Sequence, residues 1–317
     1  MIVSILLILL GFVLLIKGAD WMVSGSSALA KKNNISNIAI GLTIVAFGTS
    51  APELVVNSFA SFHGYSDIVF GNVIGSNNFN LFIILGIVGL ISPIVVQSNT
   101  VWKELPLSLF AVVILYLLCN SFFQDTAVLT RVDGLVLLVM FGLFLFYVYK
   151  QLKTETLVPE IEIIPMSVLK IWSLILIGFS GLIMGGKLVV DNAVEVASGM
   201  GVSEKIIGLT IVAVGTSLPE LVTSVVAVLR KNNDIAIGNI IGSNIFNIFL
   251  ILSVSSFIRP IEFKPLFNID LYILAGGTIF LFIAMFTGVK KKLDRWEAAL
   301  LLVSYLAYTV YLIGKEV

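Results

Sequence analysis

Cysteine, histidine and charge are what this chain of 317 residues has least of. The single cysteine, Cys119, stands in an apolar run, which excludes a disulfide framework and predicts a small buried core residue. The single histidine, His63, falls in a short segment after the second apolar run, where a solvated loop residue is expected. Charged residues make up 12% against 58% hydrophobic, with a mean hydropathy of +1.08, and no soluble globular domain has that balance. With 19 basic and 19 acidic residues the net charge is zero, so nothing argues for nucleic acid as a partner. No basic stretch precedes the first apolar run. Its cleavage-like Ala28-Leu29-Ala30 does not make it a leader either, because the segment recurs in mid-chain as residues 178–203. It is expected to be a mature helix.

What the chain has is apolar runs of crossing length, about 20 residues each. They fall near 2–30, 37–62, 68–92, 104–123 and 132–150, then near 168–198, 205–229, 235–258, 268–288 and 296–313. The expected fold is an all-α integral membrane protein with ten transmembrane helices. The expected division is a first five-helix repeat over 1–150, a linker over 151–167 and a second repeat over 168–317. Five is odd, so equivalent segments cross in opposite directions and the repeat is inverted. Repeats of that kind place substrates near the bilayer midplane, on helices interrupted by Gly and Pro.

Basic residues in the connecting segments set the orientation. The side reached after odd-numbered spans holds twelve Lys and Arg, including Lys31, Lys32, Lys103, Lys150, Lys153 and Lys170. The opposite side holds five: Arg131, Lys205, Arg259, Lys264 and Lys315. The first side is therefore expected to be cytoplasmic, linker 151–167 included, with both termini outside a multi-pass protein of the cell membrane. That linker mixes Lys153 with Glu155, Glu160 and Glu162 and carries Pro159 and Pro165, which suits a tether and is too short for a regulatory domain. No obligate protein partner is evident.

One constant offset of 167 residues aligns the halves without a gap from Gly11 and Gly178 to Pro93 and Pro260. GLTIVAFGTSAPEL at 41–54 returns as GLTIVAVGTSLPEL at 208–221, and DIVFGNVIGSNNFNLF from Asp67 returns as DIAIGNIIGSNIFNIF from Asp234. Glu53 thereby matches Glu220, each in an otherwise apolar stretch. An ionisable group at that depth is costly, so a duplicated pair points to function rather than to interhelical bonding. Pro52 and Pro219 remove a backbone donor, and Gly48 and Gly215 supply freedom. The second, third, seventh and eighth spans are therefore expected to be broken around the site. The carbonyls of Ala46, Thr49, Ala213 and Thr216 are expected to be freed there, and in lipid they must line a cavity or bind something. Thr49, Ser50, Thr216 and Ser217 add hydroxyls. Ser76 and Asn80, like Ser243 and Asn247, recur at i and i+4 on one helical face. Asn72 and Asn239 are expected to hold helices together.

The donor set is oxygen alone, with no histidine or cysteine in it. It favours hard cations, Ca²⁺ above all, over zinc or copper. Two ionised glutamates balance one divalent ion, and could instead hold Na⁺ ions or two protons. A site that takes one set or the other describes an antiporter. A membrane enzyme would need a nucleophile or metal cluster that the motifs lack, and a channel is disfavoured by a two-fold inverted site. Other charges have milder readings. Lys17 and Asp20 are expected to form a local ion pair or to snorkel, Asp191 and Glu195 to reach the outer surface, and Asp67 and Asp234 to cap the helices they begin.

GTSAPEL with GNVIGSNNFN, repeated as GTSLPEL with GNIIGSNIFN, resembles the two alpha-repeats of the calcium/cation antiporter superfamily, nearest to its prokaryotic sodium/calcium exchangers. The resemblance covers nearly the whole chain. It implies Na⁺-driven Ca²⁺ exchange by alternating access, with no cofactor. It implies a central Ca²⁺ shared by Glu53, Glu220 and the carbonyls of Thr49 and Thr216. It also implies Na⁺ sites drawing on Ala46, Thr49, Ser50, Ser76 and Glu220, and on Ala213, Thr216, Ser217, Ser243 and Glu53. Many such exchangers carry an aspartate where this chain has Asn247, the match of Asn80, so the site holds two carboxylates rather than three. Three Na⁺ leave it at +1 and Ca²⁺ at 0, which keeps a charge-moving exchange open together with H⁺ or Li⁺ as alternative ions. Proton/calcium exchangers usually lack the GTS-x-PE pattern, and potassium-dependent members carry further acidic residues absent here.

Overall fold

The computed structural model describes residues 2–33, 35–120, 127–152, 166–199, 213–288 and 291–316. Outside them lie residues 121–123 of the expected span 104–123, 153–165 of the linker and 205–212 of the expected span 205–229, with Lys153, Lys205 and the linker's glutamates and prolines. Apart from four two-residue strands, the described chain is helical. Its helices are α1 (Ile2–Lys32), α2 (Asn37–Thr49), α3 (Ala51–His63), α4 (Ser66–Ile91), α5 (Thr100–Cys119) and α6 (Arg131–Leu152). There follow α7 (Val168–Gly199), α8 (Ala213–Thr216), α9 (Leu218–Leu229), α10 (Asn233–Ile258), α11 (Phe267–Ala284) and α12 (Arg295–Glu316). Among the described residues seven of these are long and apolar enough to cross a membrane, or eight when α2 and α3 count as one bent span.

The chain falls into two compact units, residues 1–56 with 139–246, and residues 57–138 with 247–317. Each unit thus takes segments from both sequence halves.

In the first unit, glycine decides how closely helices approach. A Cβ at Gly18 would lie 2.8 Å from the Gly178 carbonyl oxygen, and one at Gly178 2.7 Å from the Gly18 carbonyl oxygen. Gly11 and Gly185 face each other in the same way, with 2.9 and 2.7 Å to the opposite carbonyls. Along this seam α1 and α7 therefore meet backbone to backbone, as small residues allow inside a bilayer. A second seam joins α2 to the first half of α10. There a Cβ at Gly238 would meet the Ile38 carbonyl at 2.8 Å, and one at Gly242 the Leu42 carbonyl at 3.0 Å. Asp20, expected to pair locally with Lys17, instead pairs with Arg230 just past the end of α9, and Arg230 also donates to Ser24.

The second unit holds the strands. Ile94–Val95 pairs antiparallel with Lys292–Leu293, and Val128–Leu129 with Ile261–Glu262. Glu297 accepts from the Asp294 N–H at 2.7 Å and from the Thr287 hydroxyl, which explains a buried carboxylate at the start of α12. Cys119 is fully buried. His63 ends α3 rather than sitting in a loop, exposed and packed among the rings of Phe59, Phe62 and Tyr65. The capping roles also differ from expectation. Asp67 lies inside the first turn of α4 and pairs with Lys264. At α10 it is Asn232, not Asp234, whose side chain accepts the Ile235 N–H at 3.2 Å, because an amide oxygen one residue ahead of the helix reaches that orphan donor.

Candidate functional site

Two glutamates that begin helices are the residues from which the site is built. Glu53 lies in the first turn of α3 and Glu220 in the first turn of α9, each directly after a proline. Ser50, between α2 and α3, has φ −84° and ψ 7°, and Ser217, between α8 and α9, has φ −91° and ψ 6°. Both serines thus occupy the sparsely used bridge region where many active-site residues sit. The duplicated sequence produces a duplicated break, and across the first copy the helix axis bends by 48°.

The break frees different carbonyls from those expected. A proline removes the bond to the residue four places back, which is Gly48 for Pro52 and Gly215 for Pro219. The Ala46 carbonyl is engaged, accepting from the Ser50 N–H at 2.9 Å and from the Thr49 hydroxyl at 3.3 Å.

Each serine turns to the other copy's glutamate. The Ser50 hydroxyl donates to Glu220 Oε1 at 2.9 Å, and the Ser217 hydroxyl donates to Glu53 Oε1 at 3.3 Å. Ser243 on α10 reaches the same Glu220 oxygen at 3.5 Å. Both carboxyls are buried, and Glu220 Oε2 has no hydrogen-bond donor. All of this lies in the first unit. An oxygen that retains lone pairs at such depth suits a cation, because no water or donor there compensates its charge.

Asn239 is the residue that the sequence reading underweighted. It accepts the Thr49 hydroxyl at 2.9 Å and donates to the Ser224 hydroxyl at 3.0 Å and to the Glu220 carbonyl at 3.3 Å. It does hold helices together, as expected, but the helices it holds carry Thr49 and Glu220. Its position one residue after Gly238, on the glycine seam, was the available signal. We expect Asn239→Ala to cost about 3 kcal/mol, since it strands buried partners on three sides. Thermal unfolding in detergent measures this, and an unchanged midpoint rejects the role given to Asn239.

The second unit contains Ser76, Asn80 and Asn247, all buried. Asn247 donates to Asn77 Oδ1 at 2.9 Å, while its own Oδ1 is buried without a hydrogen-bond partner. Thr216 is half-buried at the end of α8. Ala213 starts that helix. π-Helical turns, with one residue more per turn than an α-helix, cover Gly41–Val45, Phe79–Ile84 and Asn247–Ile251. They adjoin or contain Ala46, Asn80 and Asn247, in keeping with the tendency of such turns to occur at functional sites. A fourth, Thr100–Glu104, opens α5 away from the repeated motifs.

Comparison with known proteins gives this arrangement relatives. The sequence profile described as "Sodium/calcium exchanger protein" matches residues 3–150 and 170–314. The sodium/calcium exchanger MaX1 of Methanosarcina acetivorans is 31% identical over 98% of each chain. A candidate antiporter of Alkalimonas amylolytica, CaxA, is 38% identical over 99% of this chain and 100% of that one. The solved structure of the sodium-calcium exchanger NCX_Mj, soaked with 2.5 mM Na⁺ and 0.1 mM Ca²⁺, matches with a TM-score of 0.84 at 34% identity, over 98% of both chains.

Proposed function

The chain belongs to the sodium/calcium exchanger protein family, and we propose that it exchanges Na⁺ for Ca²⁺ across the cell membrane by alternating access, moving net charge. The observation that carries this reading is the reciprocal bonding of two buried glutamates, each to the serine of the other copy. One Ca²⁺ neutralises two carboxylates, whereas an empty site of charge −2 is costly to carry through a low-dielectric barrier. Unloaded transitions are thereby disfavoured and exchange is favoured over leak. Family members are transporters, which makes catalysis no part of the reading.

In this proposal Glu53 and Glu220 share the Ca²⁺ with the carbonyls of Thr49 and Thr216. Ser50, Ser217, Ser76, Ser243, Asn80, Asn247, Ala46 and Ala213 supply the remaining oxygens for Na⁺. Ala46 then contributes only after one of its two internal hydrogen bonds is released. The finer architecture belongs to the same proposal: ten spans in two inverted repeats over 1–150 and 168–317, a cytoplasmic linker, and both termini outside. Its support is the constant 167-residue offset, the odd span number and the lysine imbalance.

The test is radiolabelled Ca²⁺ uptake into liposomes bearing the purified protein, driven by an outward Na⁺ gradient, a proton gradient or neither. Uptake that requires Na⁺ is expected. A second reading, proton/calcium exchange, is favoured by Asn247, which leaves two carboxylates able to carry two protons. Uptake driven by protons alone selects it.

Asn247→Asp separates the two readings further. A third carboxylate is expected to lower the Na⁺ concentration for half-maximal exchange by about tenfold, the equivalent of about 1.4 kcal/mol. An unchanged Na⁺ dependence removes Asn247 from the Na⁺ ligands.

A further inference from the structure

Four helix ends in the first unit surround an apolar cavity of about 330 Å³. Its walls include Leu29 from the end of α1, Ile40 and Ile44 from the start of α2, Val148 and Tyr149 from the end of α6, and Trp172 from the start of α7. The few residues after α1 lead straight into α2, so those two ends share one membrane face. The chain from α6 to α7 likewise leaves and re-enters on one face. The cavity therefore lies at the depth of a membrane–water boundary. Tyr149 and Trp172, 52% and 42% exposed, stand at its mouth, as amphipathic rings do at headgroup level.

What the cavity can hold follows from its lining. Thr43 and Asn33 are its polar members besides the ring atoms, and both are bonded within the chain, the Thr43 hydroxyl to the Ala39 carbonyl at 2.7 Å and the Asn33 amide to the Leu29 carbonyl at 3.0 Å. Hydrocarbon suits such walls, and a polar solute does not. The volume is at the lower end of the range of about 300–1,000 Å³ typical of small-ligand sites, too small for a helix of another protein. The rim adds a sign. Lys31, Lys32, Lys150 and Lys170 are exposed and lie within four residues of lining positions, and no described Asp or Glu does. Lysines at a helix end extend toward the headgroups while their stems stay in apolar surroundings.

We propose that this cavity holds one acyl chain of an anionic phospholipid, whose phosphate is received by the lysines of the rim. Thr43 and Ile44 belong to the π-helical turn that leads into Ala46–Thr49. A bound lipid would therefore lie against the helix that carries part of the candidate ion site.

The test uses the full-length protein in phosphatidylcholine vesicles containing a minor fraction of chain-brominated phosphatidylglycerol or of chain-brominated phosphatidylcholine. Quenching due to Trp172 is the difference between the native protein and Trp172→Phe. Brominated phosphatidylglycerol is expected to quench Trp172 at about fivefold lower mole fraction than brominated phosphatidylcholine, an advantage that surface lysines provide. The advantage is expected to vanish in Lys31→Gln/Lys32→Gln/Lys150→Gln/Lys170→Gln, whose exposed substitutions leave the fold intact. Equal quenching by the two lipids overturns the proposal, as does a headgroup preference that survives loss of the lysines.

Discussion

Glu220→Gln is expected to reduce Na⁺-driven Ca²⁺ uptake by about a hundredfold or more, and Glu53→Gln to match it. Glutamine keeps the shape of the side chain and an oxygen to accept the Ser50 or Ser217 hydroxyl, so the bonds at 2.9 and 3.3 Å can persist. What it loses is one negative charge at a position removed from solvent. A Ca²⁺ facing a single carboxylate leaves one unit of positive charge in the interior, where an uncompensated ion costs several kcal/mol even after relaxation. At about 1.4 kcal/mol per tenfold, a hundredfold loss is a conservative reading of that cost. The measurement is uptake into liposomes, alongside thermal unfolding to verify that the variants fold. Variants that fold and still transport at the native rate would show that the two carboxylates are not the Ca²⁺ site.

The second large effect concerns the glycine seam of α1 and α7. Gly178→Ala adds a single methyl group and improves helix propensity by about 1 kcal/mol. Its Cβ, however, would meet the Met22 nitrogen at 2.6 Å and the Gly18 carbonyl oxygen at 2.7 Å. Both are backbone atoms, so no rotamer change relieves the clash and the helices must part. Overpacking of this kind costs about 1–3 kcal/mol, and the rigidity of two facing backbones places Gly178 at the upper end. Destabilisation of about 2 kcal/mol is the expected net result. Gly142 in α6 is the control: a Cβ there meets nothing within 4 Å, so Gly142→Ala is expected to be neutral or slightly stabilising. Thermal melting of the two variants in one detergent decides it. If both shift in the same direction, the closeness of α1 and α7 does not limit stability.

Much of this was legible in the sequence because a duplication makes its own control. One gapless offset marked Glu53 and Glu220 as equivalents, and hydropathy placed helices where α1, α4, α6 and α7 are found. The capping residue at α10 was not legible, since Asn232 and Asp234 are both good candidates and only the backbone geometry separates them. The partner of Asp20 is 210 positions away, beyond the reach of any local pattern. Asn239 looked like its sequence equivalent Asn72, yet Asn239 gathers Thr49, Ser224 and Glu220, while Asn72 is only half-buried. Equivalence in sequence does not carry over to hydrogen bonds when the neighbours differ, as Asn57 and Ser224 do at matching positions.

The π-helical turn at Gly41–Val45 also bears on how this segment tolerates length changes. Such a turn stores one residue beyond the α-helical count, and each residue is worth about 100° of rotation about the axis. Deleting one residue there would let the helix close into a regular spiral of nearly the same length. Everything after the deletion would keep its place along the axis but turn by more than a quarter of a circle. The Thr49 hydroxyl would then point away from Asn239, although hydropathy, composition and helix content would hardly register the change. In this stretch a one-residue gap acts as a change of phase rather than of length.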